Sequence, residues 1–302
     1  MRKFFVTAMF LSATICFLTS CRSEASVRRS VVVTLPPLKT LMDEIAGDSV
    51  EVTSLLNSSA DPEQFEPSLS DLRRVSDADA YFAIGNFPTE EAMLDKLRGG
   101  SSSLDIRYLS EGIELLHGTH DHCDHHHAHD DAHHHAHGDA DPHTWSSYRN
   151  MRVIASNMLE ELCRLDPNNA DYYHANHRRL EARLDSLDRA ASEKLSTAVG
   201  TAFIVLHPSL SYFARDYGMH QIAIGAENKE TSIVQAVEAL EEAERHNASV
   251  IILDPGESSR KADNLQQHLN LPVIYFNPMA PDWEDQLQHL INEFSKAADK
   301  SL

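Results

Sequence analysis

The chain has 302 residues, 42% hydrophobic and 24% charged, with a formal net charge of −20 at pH 7 when histidine is neutral. This length exceeds what one small core needs and predicts two domains or one large two-lobed unit. So acidic a balance disfavours nucleic acid as a partner and suits a cationic ligand, although solubility alone would also explain it. Histidine is the unusual residue, because more than half of the 19 lie within residues 117–137.

The N-terminus has the features of an export signal. A Met-Arg-Lys start precedes an apolar stretch over residues 4–18, which is shorter than the about 20 residues that a membrane span needs. The sequence Leu-Thr-Ser-Cys at residues 18–21 resembles a bacterial lipobox, which implies lipid attachment at Cys21. An ordinary signal peptide with an incidental cysteine is the alternative. We therefore predict a signal peptide over residues 1–20 and a polar tether over residues 21–29.

Residues 30–165 alternate between short β-branched runs and amphipathic segments. The predicted strands cover residues 30–34, 50–56, 81–84 and 105–109. The predicted helices cover residues 38–45, 71–78, 89–97 and 151–162. Such alternation favours an α/β lobe with a largely parallel sheet.

A long helix is predicted to follow this lobe. Residues 168–197 contain no Gly or Pro, and Leu180, Leu184 and Leu187 mark one face. Asp166 and the proline after it suit a helix start. A linking helix within residues 166–198 would be about 45 Å long, enough to run the height of a two-lobed protein. Two shorter helices with an unmarked break are the alternative.

Residues 199–302 repeat the alternation of strand and helix. The predicted strands cover residues 203–206, 221–224, 250–253 and 273–276. The predicted helices cover residues 210–217, 232–246, 262–269 and 283–297. The fold class expected is therefore α/β, with two lobes of mostly parallel sheet joined by a long rigid α-helix.

The histidine-rich tract cannot form a core, because residues 117–137 contain almost no apolar side chains. Neutral imidazoles bind Zn²⁺, Cu²⁺ and Ni²⁺, whereas Mg²⁺, Ca²⁺ and Mn²⁺ prefer oxygen ligands. We expect an exposed auxiliary loop that holds several borderline-soft ions weakly. A purification tag or a solvated pH-sensitive loop is the alternative, but an internal, irregular tract is not typical of a tag. The loop histidines are His117, His120, His122, His125, His126, His127, His129, His133, His134, His135 and His137.

Four residues outside the tract are candidate ligands. His143 directly precedes an amphipathic segment, and His207 directly follows an apolar strand. Glu63 and Glu257 lie in loops that follow predicted strands. Ligand groups in α/β proteins gather beyond the carboxyl ends of strands. Taken singly, a histidine of this kind is more often a structural residue than a ligand, and most such acids are plain surface carboxylates.

Several segments in one order resemble a known family. They are the lipobox, ADPEQFEPSLSDLRRVSDADAYFAIGN, the His-rich insertion, DPHTWSS, the long central helix and LHPSLSYFARDYGM. Together they resemble the zinc- and manganese-binding solute-binding proteins of bacterial ABC importers, over essentially the whole chain after the signal peptide. The resemblance implies one metal ion in the cleft between two α/β lobes, and the His-rich insertion is similar to that of the zinc members.

The resemblance also implies a ligand set. His143 and His207 match two metal-binding histidines of the zinc members, and manganese members usually carry Glu at the second position. Glu63 stands where the family usually has its first histidine, and a carboxylate binds Zn²⁺ at about 2.0–2.2 Å. Ser258 stands where some members have a ligand Asp, which leaves Glu257 or a water as the fourth ligand.

The expected function is capture of Zn²⁺ and its delivery to the membrane permease of an ABC transporter, by a monomer held at the membrane through its lipid anchor. Because imidazoles bind metal only when deprotonated, affinity should fall below about pH 6. The chain has no HExxH, GxSxG or Walker-type motif, so we do not expect an enzyme. The alternatives are an envelope zinc buffer or metallochaperone acting through the loop, a zinc-dependent hydrolase, and a manganese or iron importer component.

Overall fold

The structure, a computed structural model, describes residues 28–99, 104–117, 140–224, 233–255, 266 and 269–301. It contains two four-stranded sheets, each in its own α/β lobe. The predicted signal peptide, Cys21, Glu257 and all of the His-rich tract except His117 lie outside the described residues.

The N-terminal lobe is built on a fully parallel sheet with strand order β2-β1-β3-β4. Both faces of such a sheet are covered by helices, so β1 contributes a continuous buried valine run. The strands are β1 (Arg29–Val33), β2 (Val50–Ser54), β3 (Ala80–Ala83) and β4 (Ile106–Tyr108). The helices between them are α1 (Pro36–Ala46), α2 (Leu69–Asp77) and α3 (Pro88–Gly99).

Two long helices follow, α4 (Tyr148–Leu165) and α5 (Ala170–Lys194). The 25 residues of α5 make it about 38 Å long, shorter than predicted, because Pro167–Asn169 and Ser196–Ala198 form 3₁₀ turns. No break interrupts α5 itself. Asp166 does not cap it: its carboxylate instead accepts hydrogen bonds from Asn169 at 2.6 Å and from the Tyr173 hydroxyl at 2.8 Å.

The C-terminal lobe has the same chain path, with a fully parallel sheet in the order β6-β5-β7-β8. Its strands are β5 (Ala202–Val205), β6 (His220–Ala223), β7 (Ile251–Leu253) and β8 (Val273–Tyr275). Its helices include α6 (Ser211–Tyr217), α7 (Ile233–Arg245) and α8 (Trp283–Ser301). The helix predicted over residues 262–269 lies mostly outside the described residues.

Helix α5 joins the two lobes. Asn176 donates to the Ile45 carbonyl on α1 at 2.9 Å, and Arg183 pairs with Glu44 on α1 and Glu284 on α8. The buried apolar residues of α5 belong to one hydrophobic core that draws on both sheets, so the lobes are packed against each other as well as linked. Among the described residues, no helix combines the length and apolarity that a membrane crossing would require.

Candidate metal centre

Glu63 lies in the loop between β2 and α2, where it is held by its neighbours. Its backbone N–H donates to the Asp61 carboxylate at 2.9 Å, a turn that short acidic side chains commonly stabilise. The Thr89 hydroxyl donates to the Pro62 carbonyl at 2.8 Å, which ties the loop to α3. The Glu63 side chain is only 7% exposed, so its carboxylate is directed into the protein rather than into solvent.

His143 begins the 3₁₀ turn Thr144–Ser146 that leads towards α4, as predicted for the start of a helical segment. Its ring is buried and lies in edge contact with Phe87, with centroids 6.0 Å apart. Nδ1 lies 2.9 Å from Oδ1 of Asp141, and the His143 backbone N–H donates to the same oxygen at 2.8 Å. A carboxylate at Nδ1 favours a proton there and leaves the Nε2 lone pair for a metal.

Asp141 orients the His143 ring, a role that the sequence alone did not reveal. Burial raises the pKa of its carboxyl, but the hydrogen bonds and charge of His143 outweigh burial and place the pKa below its ordinary value. Asp141 is therefore ionised at neutral pH. The sequence signal was present, since an Asp two residues before a candidate ligand is placed to contact it, but spacing alone does not identify the contact.

His207 follows β5 by two residues. Because β5 lies between β6 and β7, the chain leaves it at the point where the strand order reverses, the usual position for ligand groups in parallel sheets. The side chain is 38% exposed. Desolvation, and then the neighbouring His143 ring, lower the pKa of His207 to about 4, so its imidazole is neutral at physiological pH.

The three side chains converge on one point. Nε2 of His143 lies 3.1 Å from Nε2 of His207, and Oε1 of Glu63 lies 3.7 Å and 3.5 Å from those two nitrogens. Tetrahedral zinc with bonds of about 2.0–2.2 Å separates its ligand atoms by about 3.3–3.6 Å. In the part of the chain that the structure describes, this is the one group of three or more His, Cys, Asp or Glu residues whose ligand atoms all lie within 4.8 Å of one another.

The donor set distinguishes between classes of metal. Two imidazoles and one carboxylate suit a borderline metal such as Zn²⁺ better than Mg²⁺ or Ca²⁺. Three protein ligands leave one tetrahedral position for a water or another side chain. Glu257, the predicted fourth ligand, lies outside the described residues.

The base of the His-rich insertion lies beside this site. His117 is exposed and forms an isolated antiparallel bridge with Ala140, and the Asp141 backbone N–H donates to the Leu116 carbonyl at 2.7 Å. The two ends of the insertion therefore meet next to the residue that orients His143.

Comparison with known proteins identifies the family. A sequence model of the family described as "ZnuA: Zinc-uptake complex component A periplasmic" matches residues 31–297. The chain belongs to the ZnuA family. A putative metal-binding protein of Treponema pallidum is 28% identical over 97% of this chain and 95% of that protein. The high-affinity zinc uptake system protein ZnuA of Bacillus subtilis is 27% identical over 91% and 87%.

Crystal structures of ZnuA share the architecture. One is 28% identical, covers 89% of this chain and 99% of its own, and has a TM-score of 0.77. A ZnuA deletion mutant with zinc bound has the same identity and TM-score and covers 89% and 97%. The predictions of the family, of two parallel-sheet lobes joined by a long helix, and of zinc as the family's metal are confirmed.

Proposed function

We propose that this ZnuA-family chain is the extracytoplasmic zinc-binding component of an ABC-type zinc importer. It captures one Zn²⁺ ion through Glu63, His143 and His207 and delivers it to the membrane permease. The main observation behind this proposal is that the three ligand atoms lie 3.1–3.7 Å apart. They come from loops of both lobes.

The charge states of the ligands support this assignment. His207 has a pKa lowered to about 4 by desolvation and by His143, so metal need not displace a proton from it at neutral pH. The ionised Asp141 holds the His143 ring with Nε2 towards the cleft. The separations of the three ligand atoms are thus close to those that zinc requires. Glu257 is retained as the proposed fourth ligand, with a water as the alternative.

The His-rich loop has an auxiliary role in this proposal. Its ends meet beside Asp141, so ions held weakly along residues 118–137 are kept close to the cleft. This raises the local zinc supply in the same way that a short tether raises effective concentration.

The proposal includes the surroundings of the protein. Lipid attached at Cys21 would hold a monomer at the membrane surface, and the permease would take the ion from the cleft. The family to which the chain belongs is one of transport components rather than of known enzymes.

Calorimetric titration with Zn²⁺ and Mn²⁺ tests the proposal. The protein should begin at residue 22 and be measured with and without residues 117–137. We expect one tight Zn²⁺ site that survives loop removal, with lower total stoichiometry. His143→Ala and His207→Ala should each abolish tight binding, and His220→Ala, at an exposed histidine of β6, should not. Loss of tight binding on loop removal would instead favour the zinc buffer.

A further inference from the structure

Glu90 is a buried carboxylate that zinc coordination does not use. It lies in the first turn of α3 and is 3% exposed. Oε1 accepts hydrogen bonds from the Tyr81 hydroxyl at 3.0 Å, from the Ile84 N–H at 3.2 Å and from the Thr34 hydroxyl. Oε2 accepts the Gly85 N–H at 2.7 Å. All four donors are neutral groups.

Keeping an ionised carboxylate buried among neutral groups costs free energy. Burial raises the pKa of Glu90 to about 6, because desolvation outweighs the hydrogen bonds that favour the carboxylate. A buried polar group is tolerated where its hydrogen bonds fix a local conformation that packing alone does not specify. The donors of Glu90 indicate which conformation that is, since two of them are consecutive backbone N–H groups at the end of β3.

Glu90 closes the β3–α3 turn, which comprises residues 84–90. Within it Gly85 and Asn86 both have positive φ, at 83° and 67°. Positive φ is uncommon for a residue with a Cβ such as Asn86, so this conformation needs support from nearby hydrogen bonds or packing. The bonds from the Ile84 and Gly85 N–H groups to Glu90 provide that support from within the turn itself.

The same turn contacts the segment that carries Glu63. The Thr89 hydroxyl donates to the carbonyl of Pro62, the residue before Glu63. A cavity of about 10 Å³, lined by Pro62, Phe65 and Glu90 among others, separates the loop from the turn and has room for about one water. The Thr89 bond therefore links the turn directly to the Glu63 loop, in addition to the packing of Phe65 against the core.

The turn also contacts the surroundings of His143. The Phe87 ring lies edge-on to the imidazole. The Ile84 carbonyl accepts the Ser110 hydroxyl at 2.6 Å, and Ser110 lies 2.9 Å from the hydroxyl of Thr144, the residue after His143. One turn thus contacts two of the three segments that form the metal centre.

We propose that Glu90 is a positioning residue for zinc: it holds the β3–α3 turn in the conformation in which Thr89 fixes the Glu63 loop and Phe87 supports His143. This rests on the proposed function of the cleft. Glu90 is too deeply enclosed by its four donors to coordinate the ion itself, so its effect is exerted through the turn.

The first test compares Glu90→Gln with Glu91→Gln by zinc titration of the full mature chain at pH 7. The amide keeps the shape of the side chain, but its NH₂ group cannot accept the Gly85 N–H. We expect zinc affinity to fall by about 10-fold, the low end of the range for loss of a direct partner of a metal ligand, because Glu90 acts through the turn. Glu91 contacts the Tyr108 hydroxyl on the outer side of α3, so its variant should stay within about twofold of wild type.

A second pair of variants leaves the buried carboxylate intact. Thr89→Val removes the bond to the Pro62 carbonyl and should weaken zinc binding, whereas Thr89→Ser keeps the hydroxyl and should restore it. Ile45→Val, a core change on α1, controls for general loss of stability, followed as the unfolding midpoint without zinc. The proposal predicts weaker binding in Thr89→Val than in Ile45→Val at equal or smaller loss of stability.

The outcomes separate the two proposals. Wild-type affinity in Glu90→Gln and Thr89→Val, with binding still lost in His143→Ala, overturns the role of Glu90 and leaves the zinc site in place. Equal weakening in Ile45→Val and Glu90→Gln overturns it too, because the effect then follows stability. Absence of tight zinc binding in the wild type overturns both proposals.

Discussion

At the scale of single residues, the pair formed by Asp141 and His143 is central to the metal centre. Oδ1 of Asp141 lies 2.9 Å from the ring Nδ1 of His143 and accepts a hydrogen bond from the His143 backbone N–H at 2.8 Å. These two bonds fix the ring plane and the tautomer together. The geometry of the zinc site therefore depends on a residue that does not contact the ion.

Replacing Asp141 with Asn should lower zinc affinity by about 10- to 100-fold. The amide removes the negative charge that stabilises the metal-bound imidazole, while its oxygen can still accept the hydrogen bonds of His143. Competition with a chromophoric chelator at pH 7 measures the change. Asp43→Asn is the matched control, because Asp43 pairs with Lys39 along the outer face of α1. An Asp141→Asn protein with wild-type affinity would contradict this role.

His207 gives the stability of the zinc-free protein a defined pH dependence. Its folded-state pKa, lowered to about 4 by desolvation and by His143, lies below the unfolded value of about 6.5. The unfolded chain therefore binds the proton first, and stability falls as pH drops from about 6.5 towards 4. Urea unfolding in EDTA at about pH 7 and pH 5 should show a smaller loss in His207→Gln than in wild type. An equal loss in both proteins would show that the pKa of His207 is not lowered in the folded state.

The sequence marks the candidate ligands more clearly than the residues that hold them in place. Glu63 and His207 follow strands, and strand ends are visible as the limits of apolar runs. Glu90 gave no such signal, because an acid in the first turn of a helix is ordinary for electrostatic reasons. Its donors come from two segments, the residue after β1 and the stretch from β3 into the following turn, which only the folded sheet brings together.

At the scale of elements, the predicted strands and helices within the described residues occur in the predicted order, with ends differing by a few residues. Periodicity locates an element well but does not separate an α-helix from a 3₁₀ turn at its end. This is why the linking helix was predicted too long. The role of Asp166 as the cap of α5 was predicted wrongly for a related reason. A residue before a proline also suits the end of the preceding helix, and Asp166 ends α4.

Arg183 on α5 connects elements of both lobes through Glu44 and Glu284. Arg183→Met should lower the free energy of unfolding by no more than about 1 kcal/mol, because these side chains are partly exposed. Urea unfolding should show the loss at low salt and little at about 1 M salt, where screening is strong. Arg73→Met, at an exposed α2 pair, should have a smaller effect. A loss that persists undiminished at high salt would assign the contribution to packing.

At the scale of the whole molecule, several hydrogen bonds cross between the lobes near the metal centre, and some of them end on main-chain carbonyls. The Trp145 indole donates to the Pro278 carbonyl at 2.7 Å, and the Tyr212 hydroxyl donates to the Asp141 carbonyl at 2.7 Å. The Asn277 amide donates to the Ser58 carbonyl at 3.2 Å. The sequence predicted two lobes, but their relative placement depends on these contacts and on the shared core, which no local pattern encodes.

These contacts predict that zinc binding changes the overall shape very little. Small-angle X-ray scattering of zinc-free and zinc-loaded protein should give radii of gyration within about 1 Å, because small shifts of packed elements replace a wide hinge. A protein lacking residues 117–137 removes any contribution from the His-rich loop. A larger decrease on zinc binding in that protein would point to hinge closure between the lobes.

Helix α5 is a rod about 38 Å long, fixed to α1 in one lobe and to α8 in the other. A tilt of about 1.5° moves the far end of such a rod by about 1 Å. Coordination bonds tolerate deviations of only about 0.2 Å, so a rotation too small to alter the outline of the protein is enough to spread the ligand triangle. A transport partner that shifted one lobe against the other by this amount would loosen the ion without any contact with the ligands.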